Sequence, residues 1–278
     1  MSAPRFVCFR YFIVPLEEHL FMQPASQAER IRWFKEALLE TGEFKSNSGI
    51  DHALFIGNRT SQHVFGKLCR KRVIELHQKG AKELTEVTQE DWQPLDFVCD
   101  LDPAQQLLVI RYNSSIIQKV ETIGRLLAHY ASPGMFVHGY GVSFHPIVSR
   151  ASFWELVGSS SSVFRVTFNL ESPNLFGAGS NANKSLRLLR EHFNNSSTSV
   201  TLKNDGGDLR LPQEELETYQ DYADRGGGSW ELVVGRGNRR KHKIKSSERA
   251  TKVTVEAKTS DSVETLLLRA LHQFLDLL

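Results

Sequence analysis

The residues with the clearest chemistry lie in one short basic segment, GRGNRRKHKIK at 235–245. Six of its eleven residues carry a positive charge and none is acidic. Arginine and lysine donate charge-assisted hydrogen bonds to phosphate oxygens, and the two glycines let the backbone approach a phosphate closely. The segment therefore predicts contacts with a nucleic-acid backbone, which we assign to Arg236, Arg239, Arg240, Lys241, Lys243 and Lys245.

The sequence distributes its charge unevenly around this segment. Residues 205–224 carry seven acidic side chains against Arg210, whereas residues 226–258 carry nine basic side chains against three acidic ones. A cluster of like charges repels itself unless an anion or an acidic neighbour lies opposite. Two alternatives to nucleic acid therefore stay open: pairing with the acidic helix of this chain or of a second subunit, and a solvated hairpin without a partner.

A second kind of chemistry is suggested by Glu256-Ala257-Lys258. One large nuclease superfamily uses an E-x-K pattern on a strand, where the carboxylate holds Mg²⁺ and the lysine positions or activates water. Such a site also requires an aspartate on a neighbouring strand, and the preceding thirty residues contain only Glu231 and Glu248 as acidic side chains. The nuclease is the alternative enzymatic hypothesis.

Other catalytic or cofactor-binding patterns are missing from the sequence. His129, His138 and His145 have intervals that match no zinc finger, and no phosphate-binding G-x-x-x-x-G-K-[ST] loop occurs. Cys99 lies in the strand-like DFVCD, which favours a buried structural thiol over a nucleophile. We therefore assign no catalytic residue, no metal and no cofactor. The missing patterns favour a protein that is not an enzyme.

The composition is that of a globular protein. The 278 residues carry a formal net charge of +2, and 40% of them are hydrophobic. No apolar run approaches the roughly 20 residues of a bilayer span, and the start lacks the pattern of a signal peptide. Three distant cysteines, Cys8, Cys69 and Cys99, form neither a disulfide framework nor a metal knuckle. These features predict a cytoplasmic protein without membrane insertion.

The first half of the chain alternates strand and helix patterns. A helix over 26–39 is expected to begin at Ser26 in a capping box with Glu29, and a second helix to run from Ser114 or Ser115 to about 132–134. Strands are expected at 5–14, 52–57, 64–76, 95–100 and 105–112.

The second half repeats this mixture after a serine-rich seam at 149–162. Strands are expected at 163–170, 198–203, 230–234 and 252–256, and helices at 182–193, 213–223 and from Asp261 onward. This order without regular βαβ alternation predicts an α+β fold of two domains, 1–150 and 151–278, each a largely antiparallel sheet with packed helices. The apolar surface of the last helix suits a dimer or an intrachain core.

Several segments together resemble bacterial proteins of phage-defence loci, and more distantly the RexA phage-exclusion and KwaB (Kiwa system) families. These segments are RYFIVPL at 10–16, VFRVTFNLESPNLFG at 163–177, GGGSW at 226–230 and KVTVE at 252–256. The resemblance implies an antiviral protein that binds double-stranded DNA without strong sequence preference. It further implies a homodimer, with a second defence-system protein as a possible partner.

Overall fold

The computed structural model describes residues 3–16, 25–79, 84–172, 186, 188–189, 192–193, 195–236 and 240–278. Within them the fold is α+β, with five helices and twelve strands arranged in two antiparallel sheets. The class expected from the sequence is therefore confirmed. The helix expected at 182–193 lies largely outside the described residues.

The first sheet has eight strands in the order β12-β1-β6-β5-β4-β3-β2, with β7 paired to the other half of β1. Their bounds are β1 Arg5–Pro15, β2 Gly42–Lys45, β3 Asp51–Arg59, β4 His63–Lys79, β5 Leu84–Asp100, β6 Leu107–Tyr112, β7 Tyr140–Pro146 and β12 Val253–Thr254.

Both faces of the first sheet are covered. Helices α1 (Gln27–Leu39) and α2 (Val120–Phe136) pack on the face that carries Val7 and Phe9. The C-terminal helix α5 (Val263–Leu277) packs on the opposite face, against Phe6 and Cys8. This two-sided burial explains why β1 is a nearly continuous apolar run instead of an alternating one.

The second sheet has four strands in the order β11-β10-β8-β9. Its elements are α3 Arg150–Ser159, β8 Ser162–Glu171, β9 Ser197–Lys203, α4 Gln213–Tyr222, β10 Gly228–Arg236 and β11 Arg240–Lys245. The apolar face of β8 contributes Val166, Phe168 and Leu170 to a core with Phe153 of α3 and Leu216 of α4. Both helices lie on this one face, and no helix among the described residues covers the opposite face, which we call the open face.

Two helix boundaries differ from the sequence prediction. The backbone N–H groups of Ile116 and Ile117 both donate to the carbonyl of Asn113, so this stretch is a turn that buries its side chains before α2 begins at Val120. At the other end, α2 continues through Pro133 to Phe136. The free energy gained by burying Ala131 and Met135 in the core outweighs the loss of the backbone hydrogen bond that Pro133 cannot donate.

The second half also departs from expectation at its two ends. The serine-rich seam at 149–162 contains helix α3, because Phe153 and Leu156 share one buried face at i and i+3. The strand expected at 252–256 is only the two residues of β12, which pairs with β1. Residues 253–277, which we assigned to the second half, therefore pack with the first sheet.

A polar junction joins the two sheets. A π-helical turn, Ala223–Gly227, follows α4 and approaches β1. The Arg10 side chain of β1 donates to the carbonyl of Arg225 at 2.8 Å and to that of Gln105 at 3.0 Å. Gly226 has φ 81°, and a Cβ placed there would lie 2.7 Å from the Arg10 Cβ, so this approach requires glycine.

Candidate nucleic-acid interface

The basic segment forms the end of the second sheet, as the hairpin of β10 and β11. The backbones of Arg236 and Arg240 are register partners, and Arg239 lies outside the described residues. Lys241, Lys243 and Lys245 alternate along β11, so all three point to the same side. That side is the open face. The register partners of the three lysines on β10 are Gly235, Val233 and Glu231. These positions alternate with Trp230, Leu232 and Val234, whose side chains are buried in the core on the other face.

The open face carries basic residues from three strands. Register pairs connect Lys203 of β9 to Arg165 of β8, then to Val233 of β10 and Lys243 of β11. Neighbouring strands lie about 4.8 Å apart, so this row crosses the sheet in roughly 14 Å. We call Lys203, Arg165, Lys241, Lys243 and Lys245 the basic face. Its cations come from residues that are far apart in the sequence.

One carboxylate organises the centre of the basic face. Glu231 contacts Lys243 Nζ at 2.6 Å and Arg165 Nη2 at 3.3 Å. The Glu231 side chain is 19% exposed, whereas those of Arg165 and Lys243 are 40% and 53% exposed. The carboxylate thus lies below two cations that reach into solvent. Lysine has three N–H donors and arginine five, so both keep donors for an incoming anion.

Lys245 connects the basic face to the first sheet. Its Nζ lies 3.4 Å from the Glu121 carboxylate in the first turn of α2. A cleft of about 250 Å³ opens beside this pair, and Lys119 and Lys252 also line it. Lys252 lies over the ring of Tyr112, 4.8 Å from its centroid. The cleft extends the basic surface toward the first sheet, although Glu121 and Glu248 partly balance its charge.

Lys241 lies over an aromatic ring instead of a carboxylate. Its Nζ is 4.3 Å from the centroid of Phe164, which enters the open face through an irregularity in the pairing of β8 with β10. Gly207 and Gly235 flank this ring, and a Cβ at Gly207 would come within 2.9 Å of it. The two glycines therefore let the ring lie close to the backbone, under the Lys241 ammonium.

Of the described ion pairs of the acidic segment, one joins it to the basic face and the others lie elsewhere. Asp221 of α4 pairs with Arg150 and, at 3.1 Å, with Arg225, while Asp205 pairs with Lys203 at 3.0 Å. Among the residues that the structure describes, no ion pair connects α4 to the basic hairpin. Helix α4 is therefore not the partner of the described part of the hairpin. The carboxylates near the hairpin lysines are Glu231 of β10, Glu121 of α2 and Asp205, whose pKa is lowered by Lys203 and, to a smaller extent, by Lys241.

Asp224, at the junction of the two sheets, is the most perturbed carboxyl of the acidic segment. It is 1% exposed, and Trp230 Nε1 donates to its Oδ1 at 2.8 Å while Gln220 donates to its Oδ2. Burial raises the pKa of Asp224 to about 7, against the lowering effect of these two hydrogen bonds. Trp230 is only 1% exposed. It is therefore a core residue, as expected for a tryptophan at the start of a strand, and its ring is not accessible for stacking on a base.

The E-x-K pattern is not placed as the nuclease hypothesis requires. Strand β12 ends at Thr254, and both Glu256 and Lys258 are exposed beyond it. Across the described part of the chain, no three histidine, cysteine or acidic side chains are grouped closely enough to hold a metal. His145 instead lies 3.0 Å from the Glu171 carboxylate. Cys99 is buried in β5, as expected, and burial raises its pKa well above the usual value.

Two members of the basic face were missed in the sequence. Lys203 lies 38 residues before Lys241 and Arg165 lies 38 residues before Lys203, so no local charge count joins them to the hairpin. A signal was present in the alternation of 163–170, which already places Arg165 on a polar face. Only the strand order brings that face next to the hairpin.

The comparisons with known proteins add no relative. Neither the family models, nor the curated proteins, nor the solved structures include a match to this chain. Among the described residues, no helix combines the length and the apolar composition that crossing a bilayer requires.

Proposed function

We propose that this chain binds nucleic acid, with double-stranded DNA as the expected ligand, through phosphate contacts on the basic face and at Arg236, Arg239 and Arg240. The observation that carries the proposal is the convergence of five cations from three strands on an open sheet face. Phosphate contacts position a protein on DNA without reading bases, so we expect little sequence preference.

The internal ion pairs of the basic face are compatible with this function. Surface pairs between partly exposed groups contribute only about 0–1 kcal/mol, so a phosphate can compete with Glu231 for Lys243 and Arg165. Three carboxylates, Glu231, Asp205 and Glu121, contact the five cations, which leaves an excess of two positive charges. The sequence adds three further positive charges to this segment at Arg236, Arg239 and Arg240.

The biological setting rests on the sequence resemblance and not on the geometry. We propose that the chain acts in the bacterial cytoplasm as an antiviral protein, with DNA binding as its contribution and a second defence-system protein as a possible partner. A plating assay tests this part separately: a strain expressing the chain is expected to reduce phage plaque numbers. Equal plaque numbers with and without the chain would remove the defence role and leave the binding proposal standing.

Fluorescence anisotropy with a labelled duplex of arbitrary sequence, measured over a salt series, tests the binding function. The test variant combines Lys203→Ala, Lys241→Ala and Lys243→Ala. Each lost phosphate contact flattens the slope of log K against log[salt] by about 0.9, so three lost contacts flatten it by roughly 2.7. The loss should be the same for unrelated duplex sequences, because phosphates carry no sequence information.

A charge-matched control separates the basic face from net charge. Arg32→Ala, Lys45→Ala and Arg125→Ala remove three exposed cations from α1, β2 and α2. This control is expected to keep most of the wild-type slope. An equal loss in both triple variants, or no duplex binding by the wild-type chain at low salt, would refute the assignment of the site.

A further inference from the structure

A cleft between the two sheets contains three lysines. It has a volume of about 250 Å³ and lies between the start of α2 and the turn that follows β11. Its charged lining residues are Lys119, Glu121, Lys245, Glu248 and Lys252. Pockets that enclose a whole drug-sized ligand have volumes of roughly 300–1,000 Å³. The cleft is smaller, so it suits a single charged group better than a complete cofactor.

The charged side chains of the cleft favour an anion as its ligand. Three ammonium groups line the cleft against two carboxylates, which leaves one positive charge. Glu121 is paired with Lys245 at 3.4 Å, whereas no ion pair of the described residues includes Lys119 or Lys252. Both of these lysines are exposed and keep N–H donors for a ligand. Glu248 is exposed as well, so solvent and salt screen its charge.

One aromatic side chain, Tyr112, positions the two lysines that have no ion pair. The Lys252 ammonium lies 4.8 Å from the centroid of its ring. Its hydroxyl donates at 2.6 Å to the carbonyl of Gln118, the residue before Lys119. An aromatic ring attracts an ammonium through its quadrupole and has no net charge, so Lys252 keeps its full charge. The site is therefore partly ordered before an anion arrives.

Lys245 links the cleft to the basic face, because it belongs to both. Lys241, Lys243 and Lys245 alternate along β11, so neighbouring lysines of this row are about 6.6 Å apart. In each strand of DNA, phosphates follow one another at about 3.4 Å along the helix axis, so the backbone continues beyond any single contact. A backbone that follows the row of lysines along β11 therefore reaches the cleft at Lys245.

We propose that the cleft binds a phosphodiester group of the nucleic acid that lies on the basic face, through contacts with Lys119 and Lys252. The inference rests on the proposed function, and it extends the interface from the second sheet to the first. Lys119 immediately precedes α2 and Lys252 immediately precedes β12, so both lysines belong to the first sheet and its helices. A polyanion held on the basic face raises the effective concentration of its other phosphates at the cleft. A nucleic-acid phosphate is therefore favoured over a free phosphate ion.

Two further phosphate contacts have a measurable effect on binding. Each contact contributes about 0.9 to the slope of log K against log[salt], so the loss of two flattens it by roughly 1.8. At 0.1 M salt this loss corresponds to roughly 60-fold weaker binding. The cleft and the basic face contact different phosphates, so the two losses should add. A variant that lacks both sets of contacts should flatten the slope by roughly 4.5.

Fluorescence anisotropy of the full-length chain, with the same labelled duplex and salt series, tests the proposal. The test variant combines Lys119→Ala and Lys252→Ala and should flatten the slope by roughly 1.8. Lys119→Arg with Lys252→Arg keeps both charges and should recover the slope. Lys45→Ala with Arg125→Ala is the charge-matched control, because it removes two exposed cations of β2 and α2 that do not line the cleft. Circular dichroism shows whether each variant keeps its fold.

The possible outcomes separate the cleft from the basic face. A wild-type slope in the test variant, or an equal loss in the charge-matched control, would overturn the inference. If the basic-face variant still loses its contacts in the same series, the proposed function stands without the cleft, whereas a wild-type chain that binds no duplex overturns both. Thermal denaturation with inorganic phosphate distinguishes the source of the anion. Stabilisation of the wild type that the test variant lacks, together with an unchanged duplex slope, would assign the cleft to a free phosphate ion and overturn the proposal.

Discussion

Neutralising Glu231 should strengthen nucleic-acid binding, although it removes a residue from the middle of the candidate site. The Glu231 carboxylate lies 2.6 Å from Lys243 Nζ and 3.3 Å from Arg165 Nη2, so it competes directly with a phosphate for these two cations. Glu231→Gln keeps the shape of the side chain and adds one net positive charge to the basic face. The variant therefore isolates the electrostatic effect from the packing of β10.

The magnitude follows from counterion release. One additional neutralised phosphate steepens the slope of log K against log[salt] by about 0.9, which corresponds to roughly eightfold tighter binding at 0.1 M salt. The two ion pairs are partly exposed, so their loss should lower the free energy of unfolding by only about 0.2–1 kcal/mol each. The fold should therefore survive, and the gain in affinity should disappear as the salt concentration approaches 1 M.

Anisotropy titrations of wild type and variant with one duplex, at several salt concentrations, measure both the affinity and the slope. Glu36→Gln is the matched control, because it removes the carboxylate of an exposed ion pair with Arg32 on α1. The reasoning is refuted if Glu231→Gln binds no more tightly than wild type while remaining folded. It is equally refuted if Glu36→Gln produces the same gain.

Three further predictions concern the packing behind the site. Because burial raises the pKa of Asp224 to about 7, the folded state holds a proton that the unfolded state has released above about pH 4. Urea denaturation should therefore show wild type losing stability relative to Asp224→Asn from about pH 4 to pH 7, and a pH-independent difference would contradict this. Gly226→Ala should lower the free energy of unfolding by about 1–3 kcal/mol, because it forces a positive φ on alanine and a Cβ against Arg10; unchanged stability in thermal denaturation would count against the close approach. Phe274→Ala should cost about 3–5 kcal/mol, since Phe274 is fully buried between α5 and the first sheet; a loss below 1 kcal/mol in chemical denaturation would show that α5 docks only loosely.

Local signals in the sequence predicted the local elements well. Helix α1 begins at Ser26 with the expected capping box, because the Ser26 hydroxyl accepts from the Glu29 backbone and the Glu29 carboxylate accepts from that of Ser26. The alternation of 163–170 predicted both a strand and its buried side, since a half-exposed strand has a period of two. Such patterns depend on residues within one turn of helix or a few strand positions.

Elements that depend on distant residues could not be predicted in the same way. Lys245 finds its carboxylate at Glu121, 124 residues earlier in the chain. The apolar stripe of α5 with Leu267, Leu271 and Phe274 was predicted, and of its two expected roles the structure shows the intrachain core. The sequence did not indicate that this core belongs to the first sheet, because its partners on β1 are more than 250 residues away. The long register of β4 with β5 also exceeds what the apolar runs at 64–76 and 95–100 indicate, because residues 71–79 and 84–92, which pair with each other, are mostly polar.

The path of the chain makes residues 149–249 an insertion within the first sheet's sequence. Both ends of this insertion meet at one place: Val148 and Ala250 form a β-bridge, and the Thr251 amide donates to the Ile147 carbonyl at 2.9 Å. Excising the insertion and closing the gap with a few residues would retain every strand of the first sheet and α5. Such a shortened chain should fold without binding DNA, so the proposed binding activity can be separated genetically from the rest of the molecule.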